Sequence, residues 1–230
     1  MNKSVLCLQN IACETLGTFE WLFLNDGFDI EKVNTRKYRI PKDPTQYSAI
    51  VILGGPMSVY ENADFVRDQV NLTKIASKKK TPVLGICLGS QIIARSSGGT
   101  VFKGPRKEIG WHKIMIENAG TEDLFSGFHN SRPTVFQWHG DTYSLPNAAT
   151  ILARSDDYPQ AFALGSLVGI QFHLEVTEDM IQSWVRNYKS EVVYEKIDVR
   201  KMEKESAIYI NKLKKYCVLF YSNFCTSFSL

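Results

Sequence analysis

One cysteine in the chain lies in a setting that favours nucleophilic chemistry. Cys87 is the centre of Gly85-Ile86-Cys87-Leu88-Gly89, between a short apolar run and a helix-compatible run. Glycines two residues before and after a nucleophile relieve crowding in a sharp strand-to-helix turn. A thiol at such a turn lies over a helix N-terminus, whose partial positive charge favours the thiolate. The pentapeptide also fits a buried, inert cysteine at a strand end, because free cysteine is commonly buried.

A base and a carboxylate occur together much later in the chain. The apolar run at 168–172 leads directly into His173-Leu174-Glu175. If the strand continues through these residues, alternation places His173 and Glu175 on one side of it. The carboxylate can then orient the imidazole, as the third member of a catalytic triad does.

A third stretch predicts a loop that can bind an oxyanion. The apolar run Ile50-Val51-Ile52-Leu53 breaks into Gly54-Gly55-Pro56, a sequence that ends a strand. Such a loop can carry an exposed backbone N–H next to the nucleophile. Together with the N–H of Leu88 at the start of the helix, it would give two donors for a developing negative charge.

Together the three stretches resemble the class I (triad) glutamine amidotransferases. The matching segments are Gly54-Gly55-Pro56, Gly85-Ile86-Cys87-Leu88-Gly89-Ser90-Gln91 and Gln171-Phe172-His173-Leu174-Glu175, and the resemblance covers residues 1–190. Three motifs with separate mechanical duties rarely coincide, so the combination is specific. The resemblance implies these roles: Cys87 as nucleophile, His173 as general base and acid, Glu175 as its orienter, and the N–H groups of Gly55 and Leu88 as the oxyanion hole.

Two positions depart from the family's pattern. Ser90 stands where the family usually has His, and Leu174 stands where it usually has Pro. Neither position carries the family's chemistry, so the triad is intact. We expect the departures to affect the packing beside Cys87 and the details of the glutamine pocket.

A further segment implies residues that bind the substrate. Gln137-Trp138-His139-Gly140-Asp141-Thr142 is similar to a Trp-His-Gly-Asp segment of stand-alone amidotransferases related to the glutaminase domain of GMP synthase. In the wider family this loop holds the α-amino and α-carboxylate groups of glutamine. The substrate-binding residues implied by the resemblance are Gly54, Gln91, Trp138, His139 and Asp141. His139 has a structural alternative, as a histidine that caps a turn.

The composition narrows the class of protein. At 230 residues, with 44% hydrophobic residues, the chain has room for one large domain, or for one domain with an appendage. A formal net charge of +3 is too small to indicate nucleic-acid binding. The five cysteines lack metal-binding spacing, which predicts no metal site and the reduced thiols of a cytoplasmic protein. No apolar run approaches the length of a membrane span.

The order of elements predicts an α/β fold. Strands alternate with helices up to Cys87, which indicates βαβ units and a doubly wound, mostly parallel sheet flanked by helices. This matches the flavodoxin-like fold of class I amidotransferases. The nucleophile and the Gly-Gly-Pro loop then meet at the carboxyl ends of the strands. Shorter extended pieces from Gly110 onward predict a small antiparallel addition, with Thr177 as N-cap of the helix that follows.

The helices and the division into domains can also be predicted. A helix at 64–77 is expected to turn Phe65, Val66, Val70 and Ile75 inward. Residues 1–190 are predicted to form the amidotransferase domain, and residues 191–230 a helical extension that packs on it. The apolar face of that extension is predicted to be Ile208, Ile210, Leu213, Tyr216, Val218 and Phe220. The alternative for this extension is an element that docks a partner.

The resemblance implies hydrolysis of the side-chain amide of L-glutamine through a Cys87 thioester, without a metal or an organic cofactor. The ammonia would go to a separate ATP-dependent synthetase subunit, because the sequence has no phosphate-binding loop of its own. A γ-glutamyl peptide hydrolase is the nearest alternative. A non-catalytic regulatory subunit with the same fold is the second, although a pure binder has no need of a complete Cys-His-Glu set.

Overall fold

An eight-stranded sheet forms the centre of the computed structural model, which describes residues 3–61, 63–117, 124–128 and 132–230. The strands across the sheet are, in spatial order, β2 (Asp29–Asn34), β1 (Ser4–Gln9), β3 (Ala49–Ile52), β4 (Val83–Ile86), β10 (Leu167–Ile170), β9 (Pro159–Leu164), β8 (Thr150–Arg154) and β6 (Met115–Ile116). The first five are parallel and the last three antiparallel. The predicted α/β fold with a mainly parallel sheet is confirmed.

Helices cover both faces of this sheet. They are α1 (Thr18–Asn25), α2 (Asp64–Lys79), α3 (Leu88–Ser96), α4 (Glu178–Asn187), α5 (Lys189–Tyr194) and α6 (Val199–Phe228). Strand β1 shows the two layers, because Val5 and Cys7 join a core with α1, α4 and α6 while Leu6 and Leu8 join a core with α2 and α3. Burial on both faces is the reason that the central strands are apolar throughout rather than alternating.

A second, two-stranded sheet carries the segment that was predicted to bind substrate. Strands β5 (Val101–Lys113) and β7 (Thr134–Tyr143) are antiparallel, and Trp138 pairs with Ile109 in their ladder. Residues 138–141 therefore lie on a strand, rather than in the loop that the resemblance implied. The ladder is irregular between Lys103 and Glu108, which locally bends the hairpin.

The helix faces were predicted in part. Thr177 caps α4 as expected, accepting a hydrogen bond from the Met180 N–H at 3.3 Å. In α2 the inward position of Val66 is confirmed, but Ile75 is 40% exposed and lies off the buried stripe. The residues that α2 buries are Val66, Gln69, Leu72, Thr73 and Ala76. Two of them are polar, which a search for apolar residues at helical spacing passes over.

The long helix α6 packs on the same face of the sheet as α1. Phe220 lies against Phe19, with ring centroids 6.4 Å apart, and the Tyr221 hydroxyl donates to Asp26 at 2.9 Å. Two of the residues predicted for its apolar face, Ile208 and Val218, are exposed instead. The domain boundary after residue 190 stays a prediction. In the part of the chain that the structure describes, no helix is both long and apolar enough to cross a membrane.

Candidate active site

Cys87 occupies a strained turn between β4 and α3. Its backbone has a φ of +52°, which is unusual for a residue with a side chain, and its N–H donates to the Ile170 carbonyl at 2.8 Å. The two flanking glycines are required by close approach. A Cβ on Gly85 would lie 2.4 Å from the carbonyl oxygen of Gly89, and a Cβ on Gly89 would lie 2.0 Å from the carbonyl oxygen of Ile52. The crowding predicted for the elbow is therefore present.

The predicted base and carboxylate form a buried pair. His173 Nδ1 and Glu175 Oε1 are 2.7 Å apart, and both side chains are almost fully shielded from solvent. They do not lie on a strand as expected, because β10 ends at Ile170. Instead the His173 N–H donates to the carbonyl of Phe136 on β7 at 2.8 Å, which anchors the irregular segment to the small sheet.

The thiol and the imidazole affect each other's ionisation. Burial raises the pKa of the Cys87 thiol, whereas His173 and the Leu88 N–H act to lower it. Burial also disfavours the imidazolium, but the charges of Glu175 and Cys87 outweigh it and raise the pKa of His173 well above 6.5. The N–H of Leu88 at the helix N-terminus favours the thiolate, as expected from the sequence, but burial of the thiol outweighs it and the pKa of Cys87 stays raised. This arrangement would allow His173 to accept the proton of Cys87.

The two predicted oxyanion donors are neighbours. Leu88 begins α3, so its N–H has no acceptor within the helix. Within the described ranges, the N–H of Gly55 has no hydrogen-bond acceptor either. A Cβ on Gly55 would lie 3.2 Å from a methyl carbon of Leu88, so the two residues are adjacent. Their role in binding an oxyanion stays a prediction.

A cavity of about 290 Å³ opens above Cys87. The residues predicted from the sequence that line it are Gly55, Cys87, Gln91, Trp138, His139 and Asp141. Gly54 lies just below, since a Cβ on it would be 3.4 Å from Cys87 Cβ. The lining residues that the sequence analysis missed include Glu14, Ser58, Tyr60, Tyr188 and Glu191. Of these residues, only Glu14 could have been suspected from the sequence, because it follows shortly after the carboxyl end of β1, where such folds bind ligands.

Gln91 and Gln171 form a chain of amides that ends at the thiol. Gln91 Nε2 donates to the Asp141 carbonyl and to Gln171 Oε1, each at 3.4 Å. Gln171 Nε2 lies 3.6 Å from Cys87 Sγ and donates to it. Gln91 is thus held beside the nucleophile, as a residue at the side-chain end of a substrate should be, although its amide already has partners within the protein.

Asp141 and His139 belong to the wall of the cavity that the small sheet forms. The Asp141 carboxylate accepts hydrogen bonds from Ser58 Oγ at 2.6 Å and from the Tyr60 hydroxyl at 3.1 Å. These contacts tie the loop after β3 to β7. Both ring nitrogens of His139 have protein partners, the Asp141 carbonyl at 3.0 Å and Glu108 Oε2 at 2.9 Å. This geometry favours the structural alternative for His139, because no ring nitrogen is left for a substrate.

The segment beyond residue 190 completes the same wall. Trp138 Nε1 donates to Glu191 Oε2 at 2.9 Å, and Lys107 forms ion pairs with Glu191 and, at 3.2 Å, with Glu195. Helix α5 therefore fixes the orientation of the Trp138 ring. Part of the cavity is built by residues assigned from the sequence to an extension outside the amidotransferase domain.

The two departures from the family pattern lie inside the protein. Ser90 Oγ donates to the carbonyl of Cys87 at 2.7 Å, which steadies the strained elbow. Leu174 is fully buried in the core with α4 and α6. Among the residues with described positions, no group of three or more His, Cys, Asp or Glu is close enough to hold a metal ion.

The sequence also matches a known protein family. Residues 20–188 match the family described as glutamine amidotransferase class-I, and this is more than half of the chain. The chain belongs to that family, which is a class of enzymes.

Two relatives within this family illustrate which members the chain is similar to. A glutamine amidotransferase-like protein of Salmonella typhimurium, YfeJ, is 32% identical over 160 residues, which is 66% of this chain and 67% of that protein. The GMP synthase of Thermomicrobium roseum is 36% identical over 146 residues, or 62% of this chain. The matched region is only 26% of that synthase, so the chain is similar to one part of a much longer enzyme.

Solved structures extend the similarity over nearly all of the chain. A glutamine amidotransferase from Thermotoga maritima has 32% identity and a TM-score of 0.89, and the match covers 97% of this chain and 98% of that one. This coverage takes in the C-terminal helix. A glutamine amidotransferase from Methylobacillus flagellatus has the same fold, with a TM-score of 0.88 at 23% identity over 98% and 95% of the two chains.

Proposed function

We propose that this protein hydrolyses the side-chain amide of L-glutamine to glutamate and ammonia. The observation that carries the proposal is the position of Cys87 on a strained elbow, beside the buried His173–Glu175 pair and at the floor of a small polar cavity. A binding protein with this fold would gain nothing from a strained nucleophile, because strain in the backbone costs stability.

Each member of the triad has a defined part in the reaction. His173 takes the proton of Cys87, and the thiolate attacks the amide carbon. The tetrahedral oxyanion lies against the N–H groups of Gly55 and Leu88. The His173 imidazolium then gives its proton to the nitrogen, the C–N bond breaks, and ammonia leaves a γ-glutamyl thioester. In the second half, His173 activates a water molecule that hydrolyses the thioester, while Glu175 holds the imidazole in place.

The ammonia is proposed to pass to an ATP-dependent synthetase. This rests on the similarity to part of the GMP synthases, whose name describes them as glutamine-hydrolysing. The 230 residues contain neither a Gly-x-x-x-x-Gly-Lys sequence nor a Ser-Gly-Gly-x-Asp-Ser sequence, so the acceptor site lies outside them. All five cysteines are free thiols, which supports a place in the cytoplasm.

Ammonia release by the purified protein tests the proposal. L-Glutamine should give glutamate and ammonia in equal amounts, and Cys87→Ala should abolish the reaction. Cys225→Ala is the matched control, because Cys225 is a free thiol that does not line the cavity, and it should retain activity. A synthetase that is the true partner should raise kcat/KM. A higher kcat/KM for γ-glutamyl dipeptides than for glutamine would replace the proposal with a γ-glutamyl peptide hydrolase.

A further inference from the structure

Glu14 is a buried acidic residue in the cavity that the triad mechanism does not use. It lies in the connection between β1 and α1 and is only 7% exposed. Its backbone carbonyl accepts a hydrogen bond from the Gln9 side chain at 3.1 Å, which fixes the connection over the end of β1. Burying a carboxylate costs free energy unless hydrogen bonds or opposite charges stabilise it. The groups around Glu14 therefore indicate why it is buried.

One carboxylate oxygen is held by the protein and the other faces the reaction centre. The Tyr188 hydroxyl donates to Glu14 Oε1 at 2.6 Å, and the Cys13 thiol donates to Tyr188 at 3.5 Å. Oε2 lies against Gly54: a Cβ there would be 2.1 Å from Oε2 and 3.4 Å from Cys87 Cβ. Gly54 therefore neighbours both the Glu14 carboxylate and Cys87. Residues with described positions give Oε2 no hydrogen-bond donor.

The charges around Glu14 agree with this position. Burial raises the pKa of the Glu14 carboxyl, and the nearby His173 acts to lower it. Conversely, the charge of Glu14 adds to the burial that raises the pKa of Cys87. Glu14 is therefore close enough to both reacting residues to sense their charge, although it does not belong to the triad.

We propose that Glu14 is a further catalytic residue, whose Oε2 accepts a hydrogen bond from the leaving nitrogen of the substrate. This inference rests on the proposed function. Glu14 and Cys87 line the same cavity, in which the amide nitrogen must lie when His173 protonates it. A carboxylate can only accept hydrogen bonds. Glu14 gains and loses no proton. His173 supplies the proton, the electron pair of the C–N bond passes to nitrogen, and the departing ammonia stays hydrogen-bonded to Oε2.

The proposal has a consequence for specificity. A primary amide offers N–H donors on its leaving atom, while an ester of the same acid offers none. A buried acceptor left without a donor costs free energy, so Glu14 should favour glutamine over a γ-glutamyl ester. Removal of the acceptor should reduce this preference, whereas damage to the fold would lower turnover of both substrates equally.

The test compares L-glutamine with L-glutamate γ-methyl ester as substrates of the wild type and of Glu14→Gln. In this variant the Tyr188 hydroxyl should hold the amide oxygen, so the NH₂ group would face the leaving nitrogen as donor against donor. We expect kcat/KM for glutamine to fall by at least about tenfold more than kcat/KM for the ester. Glu14→Ala, which only removes the acceptor, should shift the ratio in the same direction. Glu195→Gln, a carboxylate outside the cavity lining, should leave the ratio unchanged.

Other results would overturn the inference in distinguishable ways. If the wild type hydrolyses both substrates and the Glu14 variants lose equally on both, Glu14 is structural and the proposed function stands. If the wild type hydrolyses the ester but not glutamine, the proposed function fails and the role of Glu14 fails with it. Turnover of the ester by either variant shows that the variant is folded, so a loss on glutamine alone has one explanation.

Discussion

The floor of the cavity and its wall on the small sheet are built by different means. The floor is backbone: Cys87 is held in its turn by the hydrogen bond to Ile170 and by the close approach of Gly89 to Ile52. The wall on the small sheet is held by side-chain contacts in addition to its backbone ladder. There Asp141 is held by Ser58 and Tyr60, and Trp138 is held by Glu191.

This difference has a physical consequence for how each region tolerates change. Close-packed backbone cannot shift by a fraction of an ångström without strain elsewhere, so alterations of the floor should cost chemistry or folding. Side-chain hydrogen bonds can be lost one at a time. Alterations of the wall should therefore loosen the substrate's position and raise KM, while the triad stays intact.

The largest effect is expected within the triad. Glu175→Gln should lower kcat by about 100- to 10,000-fold, because the imidazole loses its orienting charge, while glutamine binding should change little. His173→Ala should be at least as severe, and the double variant no worse than the worse single one, since the residues act as a unit. Steady-state kinetics of the three variants decide this. Additive losses in kcat would contradict a triad.

A second floor variant separates packing from helix propensity. Gly89 lies within α3, where Ala is intrinsically preferred to Gly by about 0.5–1 kcal/mol. A Cβ at this position would meet the Ile52 carbonyl at 2.0 Å. We therefore expect Gly89→Ala to lower the free energy of unfolding by about 1–3 kcal/mol, the usual cost of overpacking. Urea unfolding measures it, and an increase in stability would mean that the elbow is looser than described.

The same contrast explains how much of the molecule could be predicted. The elbow was predictable because its glycines and its cysteine are close in sequence, and a sharp turn is a local property. The α/β order was predictable for the same reason, since periodicity is local. The strand expected to carry His173 ends at Ile170, because the segment that follows turns to pair with β7. That pairing depends on tertiary contacts.

The walls could not be predicted, because distant segments build them. Glu14 comes from the first connection of the chain and Glu191 from beyond the predicted domain. Neither has a motif around it. The position of Glu14 after β1 indicates only that it lies near the site, while its partner Tyr188, like the pairing of Glu191 with Trp138, is set by the tertiary fold. Motifs indicate which residues can react, while burial and long-range hydrogen bonds decide which residues surround them.

A wall variant should have a moderate effect on substrate binding. Glu191→Ala removes the acceptor of Trp138 Nε1 and part of the ion pairing of Lys107. We expect KM for glutamine to rise by about three- to tenfold, the value of one hydrogen bond, with kcat changed less than twofold. Glu195→Ala is the matched control, since Glu195 also pairs with Lys107 but does not line the cavity. Equal changes in KM for both variants would assign the effect to Lys107 rather than to Trp138.

The smallest expected effect concerns the free energy of unfolding and the buried carboxylate of Glu14, in the β1–α1 connection. In an unfolded chain the Glu14 carboxyl ionises near its ordinary pKa of 4.5, while burial raises that pKa in the folded protein. The folded state therefore holds more protons than the unfolded state between these values. The wild type should lose stability as the pH rises from about 4.5 through the raised pKa of Glu14.

Glu14→Gln removes this titration and keeps an acceptor for the Tyr188 hydroxyl. It should be more stable than the wild type at pH 8 by about 0.5–2 kcal/mol, the usual gain of a single stabilising substitution. The gain should shrink toward zero as the pH falls below 4.5, because there the wild-type carboxyl becomes protonated in both states. Urea unfolding at several pH values measures the difference, with Glu195→Gln as the control for loss of one carboxylate.

A variant that is less stable than the wild type at pH 8 would show that the folded protein depends on the charge of Glu14. A variant that is more stable but slower on glutamine would show that the chain keeps a costly buried charge for its chemistry.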